Sequence, residues 1–254
     1  MILRKLAEAL REQNWFTVVL EILIVVIGIF VGLQVDGWNE VRKDRIKERV
    51  YLERLSRDIE RDSALLDRSI RRAEDRAQLA VTALMGLADP TLIETDPCRF
   101  LASAWGPSSN FFPVLYRHTF TEILSSGHLE LIRSEDLKDE LSQYYTAHDS
   151  AAQFMDGYRQ INLDYTRAFA GVLSRDEIQE IRAFEDGEEC RISTSQALAA
   201  RQEILNRDGL ADWLPRLELR QEALAERLER SLNTNERLRE ILSQELTLFG
   251  KGAQ

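Results

Sequence analysis

One segment near the N-terminus constrains this chain more than any other. Residues 16–35, FTVVLEILIVVIGIFVGLQV, hold a single ionisable side chain, Glu21, among about twenty mostly apolar positions. As a helix, that run is long enough to cross the ~30 Å hydrocarbon core of a bilayer. A helix buried in a soluble domain needs no apolar run so long and so uniform. A cleaved signal peptide fits poorly too. The preceding residues carry Glu8 and Glu12, the apolar run exceeds a typical signal core, and no small-x-small site follows it. The segment therefore reads as a retained transmembrane helix over residues 15–38. Trp15 and Trp38 bracket it, 23 residues apart, as an aromatic belt at both interfaces would require. Ahead of it, Ile2, Leu3, Leu6 and Leu10 share one helical face, so residues 1–14 are expected to form an amphipathic segment on the membrane surface.

At about 100° per residue, Gly28 and Gly32 project within about 20° of Glu21. Asn14 and Asn39 fall close to the same line, while the other faces are Ile, Leu, Val and Phe. Gly28 and Gly32 form a GxxxG step, which lets two helix backbones approach closely in lipid. A carboxyl group inside the apolar zone costs ~2.5–3.5 kcal/mol on insertion scales, so it favours a protein partner over acyl chains. Glu21, Gly28, Gly32 and Asn39 are the candidate helix-packing residues.

Within EILIVVIGIFVGLQVDGWNEVRK, residues 21–43, the positions Glu21, Gly28, Leu33, Gln34, Trp38, Asn39 and Glu40 carry a resemblance. The stretch resembles the signature of an uncharacterised bacterial membrane family, domain of unknown function 6090; the Gly that usually precedes the acid is Leu20 here. FTEILSSGHLELIRSEDLKDELSQYY, residues 120–145, is similar to that family's second pattern. The resemblance implies a single-pass anchor with a helical domain, and no activity.

Past the anchor, the composition favours long helices. The chain has 5 prolines and 12 glycines in 254 residues, with 30% charged and 44% hydrophobic residues. The formal charge of −10 argues against nucleic acid as a partner. Residues 39–89 read as one juxtamembrane helix ended by Asp89-Pro90. Leu52, Ile59, Leu66, Ala73, Ala80 and Leu87 fall at heptad spacing, with Ser56, Ser63, Ile70, Ala77 and Leu84 as a second line. That pattern serves either a coiled-coil-like seam or a helix packed on its own domain. Residues 90–254 read as a helical domain. Helices are expected over about 96–105, 114–126, 134–173 (capped by Ser134), from a Ser174/Glu177 capping box, over 195–206, and over about 210–249. In the last, Leu217, Leu224, Leu228, Leu238, Leu242 and Phe249 form a seam interrupted by Ser231 and Asn235.

Cys98 and Cys190, 92 residues apart, lack metal-ligand spacing and are either a disulfide or two thiols. A bridge would need an oxidising compartment. Counting basic residues around the anchor places the C-terminal side in the cytoplasm. The short basic N-terminus and the cysteine pair favour the periplasm instead, and that orientation is the one adopted.

No catalytic constellation stands out. His118 and Glu122 share a helix face but make at most half a metal site; His128 and His148 have no second ligand at useful spacing. Ser125-Ser126-Gly127-His128 reads as helix-end capping. Phe111 and Phe112, between Pro107 and Pro113, read as core plugs, and Tyr144 and Tyr145 as core. The expected fold is all-α: a single N-terminal transmembrane helix, then an elongated antiparallel helical bundle with long coiled-coil-like helices. The expected function is that of a membrane-anchored interaction or scaffold protein in the bacterial inner membrane, without cofactor or metal. Its partners would be the lipid bilayer and either a second copy or another membrane protein. The alternative is a periplasmic helical-bundle ligand sensor that passes its signal to a partner.

Overall fold

In the computed structural model, residues 15–109 and 112–251 are described, with side chains from 20 to 249 apart from 110–111. Among them the secondary structure is helical, with no strand. The elements are α1 (Trp15–Ala88), α2 (Thr91–Thr95), α3 (Pro97–Trp105), α4 (His118–Ser125), α5 (Glu135–Gly157), α6 (Arg159–Phe169), α7 (Arg175–Glu185), α8 (Thr194–Asn206) and α9 (Trp213–Lys251). Short 3-10 turns occupy Gly106–Ser108 and His128–Leu131. The chain divides into two units, residues 1–51 and 52–254. Helix α1 contributes to both; residues 1–14 lie outside the described part.

In the first unit, the described stretch is helix throughout. In the second, every member of the predicted heptad line from Leu52 to Leu87 is buried. The line packs on the chain's own domain, where α1 meets α9: Asn235 of α9 donates to the Ile59 carbonyl (2.8 Å). The companion line holds in part: Ile70 and Ala77 are buried as expected, whereas Ser56, Ser63 and Leu84 are only half-buried, and Leu55, Asp62, Ser69 and Ala83, three residues on from the first line, are buried as well. Two polar side chains thus hold core positions that an apolar pattern passes over.

Helices α5 and α9 run antiparallel, because Glu140 lies by Arg237, Tyr144 by Asn235 and Phe154 under Arg227. Around α3 a second group of elements closes a core of Leu87, Ile93, Phe100, Leu101, Phe169 and Leu214. There Cys98 is bonded to Cys190, with Cα atoms 6.4 Å apart.

Helix starts follow local chemistry. Asp96 caps α3 by accepting from Arg99 N (2.9 Å), with Pro97 at the first position. Ser134 caps α5, Ser174 and Glu177 form the capping box of α7, and Ser193 with Gln196 forms another at α8. Pro215 sits in the first turn of α9.

Two predicted helices are shorter than their patterns. The expected helix from 114 starts only at His118, and the one from 134 to 173 breaks at Tyr158. Residues 113–117 stay outside the helix because side chains claim their backbone groups. Asp62 accepts from Tyr116 N, Tyr145 OH donates to Tyr116 O, and His148 Nε2 bonds Pro113 O.

Candidate functional site

The anchor stripe comes first. Because the described part of the first unit is helical without a break, Glu21, Gly28, Gly32 and Asn39 lie on one face by their spacing. All four are exposed. A Cβ built on Gly28 or Gly32 would meet nothing within 4 Å, so none of the described residues covers the glycines. Around them Ile22 to Val35 expose large apolar side chains in every direction, and Trp38 is 71% exposed. The side chain of Trp15, and all of Asn14, lie outside the described residues. Among those described, this is a helix long and apolar enough to cross a membrane, near the N-terminus, with none of its apolar window buried.

The second unit contains two buried polar centres. In the first, Asp62 is fully buried. Its carboxylate accepts from Tyr116 N (2.7 Å) and from Tyr144 OH (3.2 Å). Tyr144 OH in turn accepts from Asn235 Nδ2 (3.1 Å), so α1, α5 and α9 are joined by one chain of hydrogen bonds. One helical turn away, Asp58 accepts from Thr119 Oγ1 (2.6 Å) and Thr119 N (3.3 Å), which seats the start of α4. Burial pushes the Asp62 carboxyl up to about 7, Asp58 adding repulsion, while the bonds from Tyr116 and Tyr144 pull the other way. Burial also pushes the phenols of Tyr144 and Tyr145 upward. Arg117 forks onto Asp149 (2.8 and 2.9 Å) and lies over the Tyr145 ring.

The second centre lies where α6, α9 and the Gly106–Ser108 turn meet. Gln221 donates to the carbonyls of Pro107 (2.9 Å) and Ser109 (3.0 Å). Arg220 donates through Nη1 to Asn162 Oδ1. Burial, together with the positive charge of Arg76, pulls the Arg220 guanidinium down to about 10, so it remains charged at neutral pH.

The histidines do different things. His148 is buried, bonds Pro113 O and lies tilted against Phe112 (4.7 Å between ring centres); burial holds its pKa below the usual value. It lines a cavity of about 220 Å³ with Phe112, Val114 and Arg117. His118 opens α4, and its helix neighbour Glu122 is engaged by Arg54 (3.1 Å) instead. His128 lies in a 3-10 turn. Ser125 and Ser126 both bond the Glu122 carbonyl, and Gly127 adopts φ +71, so this turn is a helix end. No group of described His, Cys, Asp or Glu residues has the arrangement to hold a metal ion. Phe111 lies outside the described residues.

Sequence reasoning missed Asp58, Asp62 and Arg220 as interior groups. Spacing carried a signal for two of them: Asp62 lies seven residues from Leu55, and Arg220 falls between Leu217 and Leu224 on the seam of α9. Fold and site together define an all-helical protein with an N-terminal segment able to span a bilayer. The chain belongs to the family of unknown function DUF6090, whose model matches residues 21–148. No curated protein and no solved structure matches it.

Proposed function

We propose that this is a membrane-anchored interaction protein without enzymatic activity. Its anchor associates through the Glu21, Gly28, Gly32 and Asn39 stripe with a second copy or another membrane protein, and its helical domain carries the recognition surface. One observation supports this above the rest: among the described residues, an apolar helical surface is bare on every face, with two uncovered glycines in line with the single acid of the apolar run. In water that surface would drive association at once. In lipid, only the stripe still calls for a protein partner. The reading also places the chain in the bacterial inner membrane with residues 52–254 in the periplasm. The Cys98–Cys190 bond supports an oxidising compartment for that unit.

Crosslinking in native membranes tests the association. Glu21→Leu combined with Gly28→Ile should reduce the yield of crosslinked oligomer or partner, and an unchanged yield removes the stripe from the account. An alkaline phosphatase fused after residue 254 should be active if the domain is periplasmic. Full-length protein that stays in the aqueous fraction after detergent-free lysis would end the reading.

A further inference from the structure

Arg220 is 2% exposed and meets no carboxylate among the described residues. Among them, only its Nη1 has a partner, the neutral oxygen of Asn162. Nε and Nη2 are buried and have no hydrogen-bond partner among the described residues. Those two nitrogens form one edge of the guanidinium, with N–H bonds pointing the same way. It is the edge that grips two oxygens of a carboxylate or phosphate side-on. The neighbouring charge does not compensate it. Arg76 adds a second positive field, and Glu185, whose carboxyl burial pushes upward, acts on Arg76.

A buried cation with one neutral acceptor is costly. Burying an ion costs several kcal/mol unless a partner of opposite charge offsets it, and orphaned buried donors are rare in folded proteins. The surroundings are fixed: Asn162 is set by α6, and Gln221, next along α9, is tied to the carbonyls of Pro107 and Ser109. A methionine or leucine would fill this volume without that cost. We infer that the Nε/Nη2 edge of Arg220 is the receptor for a small oxyanion, a carboxylate or a phosphate, held inside the helical domain at the junction of α6, α9 and the Gly106–Ser108 turn. This does not depend on how the anchor associates. It gives the domain a ligand of its own, and in that respect joins the interaction protein to the sensor alternative.

The test uses full-length protein in detergent micelles. Sodium phosphate or sodium acetate is raised in separate arms, with sodium chloride holding ionic strength constant. Binding to the folded state should raise Tm by about 3–5 °C per tenfold increase in anion beyond half-saturation. The arm that responds tells phosphate from carboxylate. Arg220→Met should abolish the response. Arg220→Lys keeps the charge without the two-pronged edge and should weaken the anion about tenfold or more; it carries the comparison if the methionine variant fails to fold. No rise in either arm overturns the inference. So does a rise that survives Arg220→Met, or one that Arg220→Lys leaves unchanged.

Discussion

Replacing Asp62 with Asn should make this protein more stable at pH 8 and leave it nearly unchanged at pH 4. Burial pushes the native carboxyl up to about 7, against the ordinary aspartate value of 3.8. Between those values the folded chain holds a proton that the unfolded chain has lost, so stability declines as pH rises. It is full below about 3.8, is lost progressively up to about 7, and stays flat above. At ~1.4 kcal/mol per pKa unit, some three units set a ceiling of about 4 kcal/mol. Asparagine mimics the protonated acid: its oxygen can accept from Tyr116 N, and its amide can donate to Tyr144 OH. For a domain of this size about 2–4 °C accompanies each kcal/mol, so Tm should rise at pH 8 by no more than roughly 8–16 °C. The assay is thermal unfolding by circular dichroism, for both proteins in the same micelles, from pH 4 to pH 8.5. Taking the difference cancels His148 and Glu185, which both proteins share. An Asp62→Asn protein less stable than the parent at pH 8, or a gap that does not close toward pH 4, would refute the reading that burial raises this carboxyl's pKa.

Three further outcomes follow from the packing. Asn235→Ala removes the donor to Ile59 O and Tyr144 OH and should cost about 1–3 kcal/mol, measured by urea unfolding. Gly86→Ala would place a Cβ 2.5 Å from the buried Phe100 ring, so a loss of about 1–3 kcal/mol is expected, and Phe100→Leu should recover part of it. Cys98→Ser opens a loop of 92 residues and should cost about 4.6 kcal/mol on the chain-entropy model; adding reductant to the parent should lower its Tm to about that of the variant, with no effect on the variant.

The elements that could be read from sequence are those whose causes are local. Ser174 and Glu177 make their capping box three residues apart, and Asp96-Pro97 opens α3 by its own side chain and ring. The buried line from Leu52 to Leu87 follows from heptad spacing alone. What periodicity could not reach has partners far along the chain. Residues 114–117 have helical composition, yet their backbone is held by Asp62, 54 residues earlier, and by Tyr145, 29 later. Asp62 and Arg220 occupy seam positions, but charged residues are assigned to solvent by default, and only a neighbour such as Tyr144 or Asn162 reveals otherwise. Asn235 interrupts the leucine seam of α9 in sequence, yet its bond to the carbonyl of Ile59 keeps the amide in the core, while Leu232 is half-buried.

The bond between Cys98 and Cys190 also changes what a broken peptide means here. A protease that nicks a connecting segment between those two cysteines leaves both fragments on one molecule. On a gel without reductant, such a protein migrates as a single species despite the cut. The crosslink separates damage to the chain from loss of its pieces.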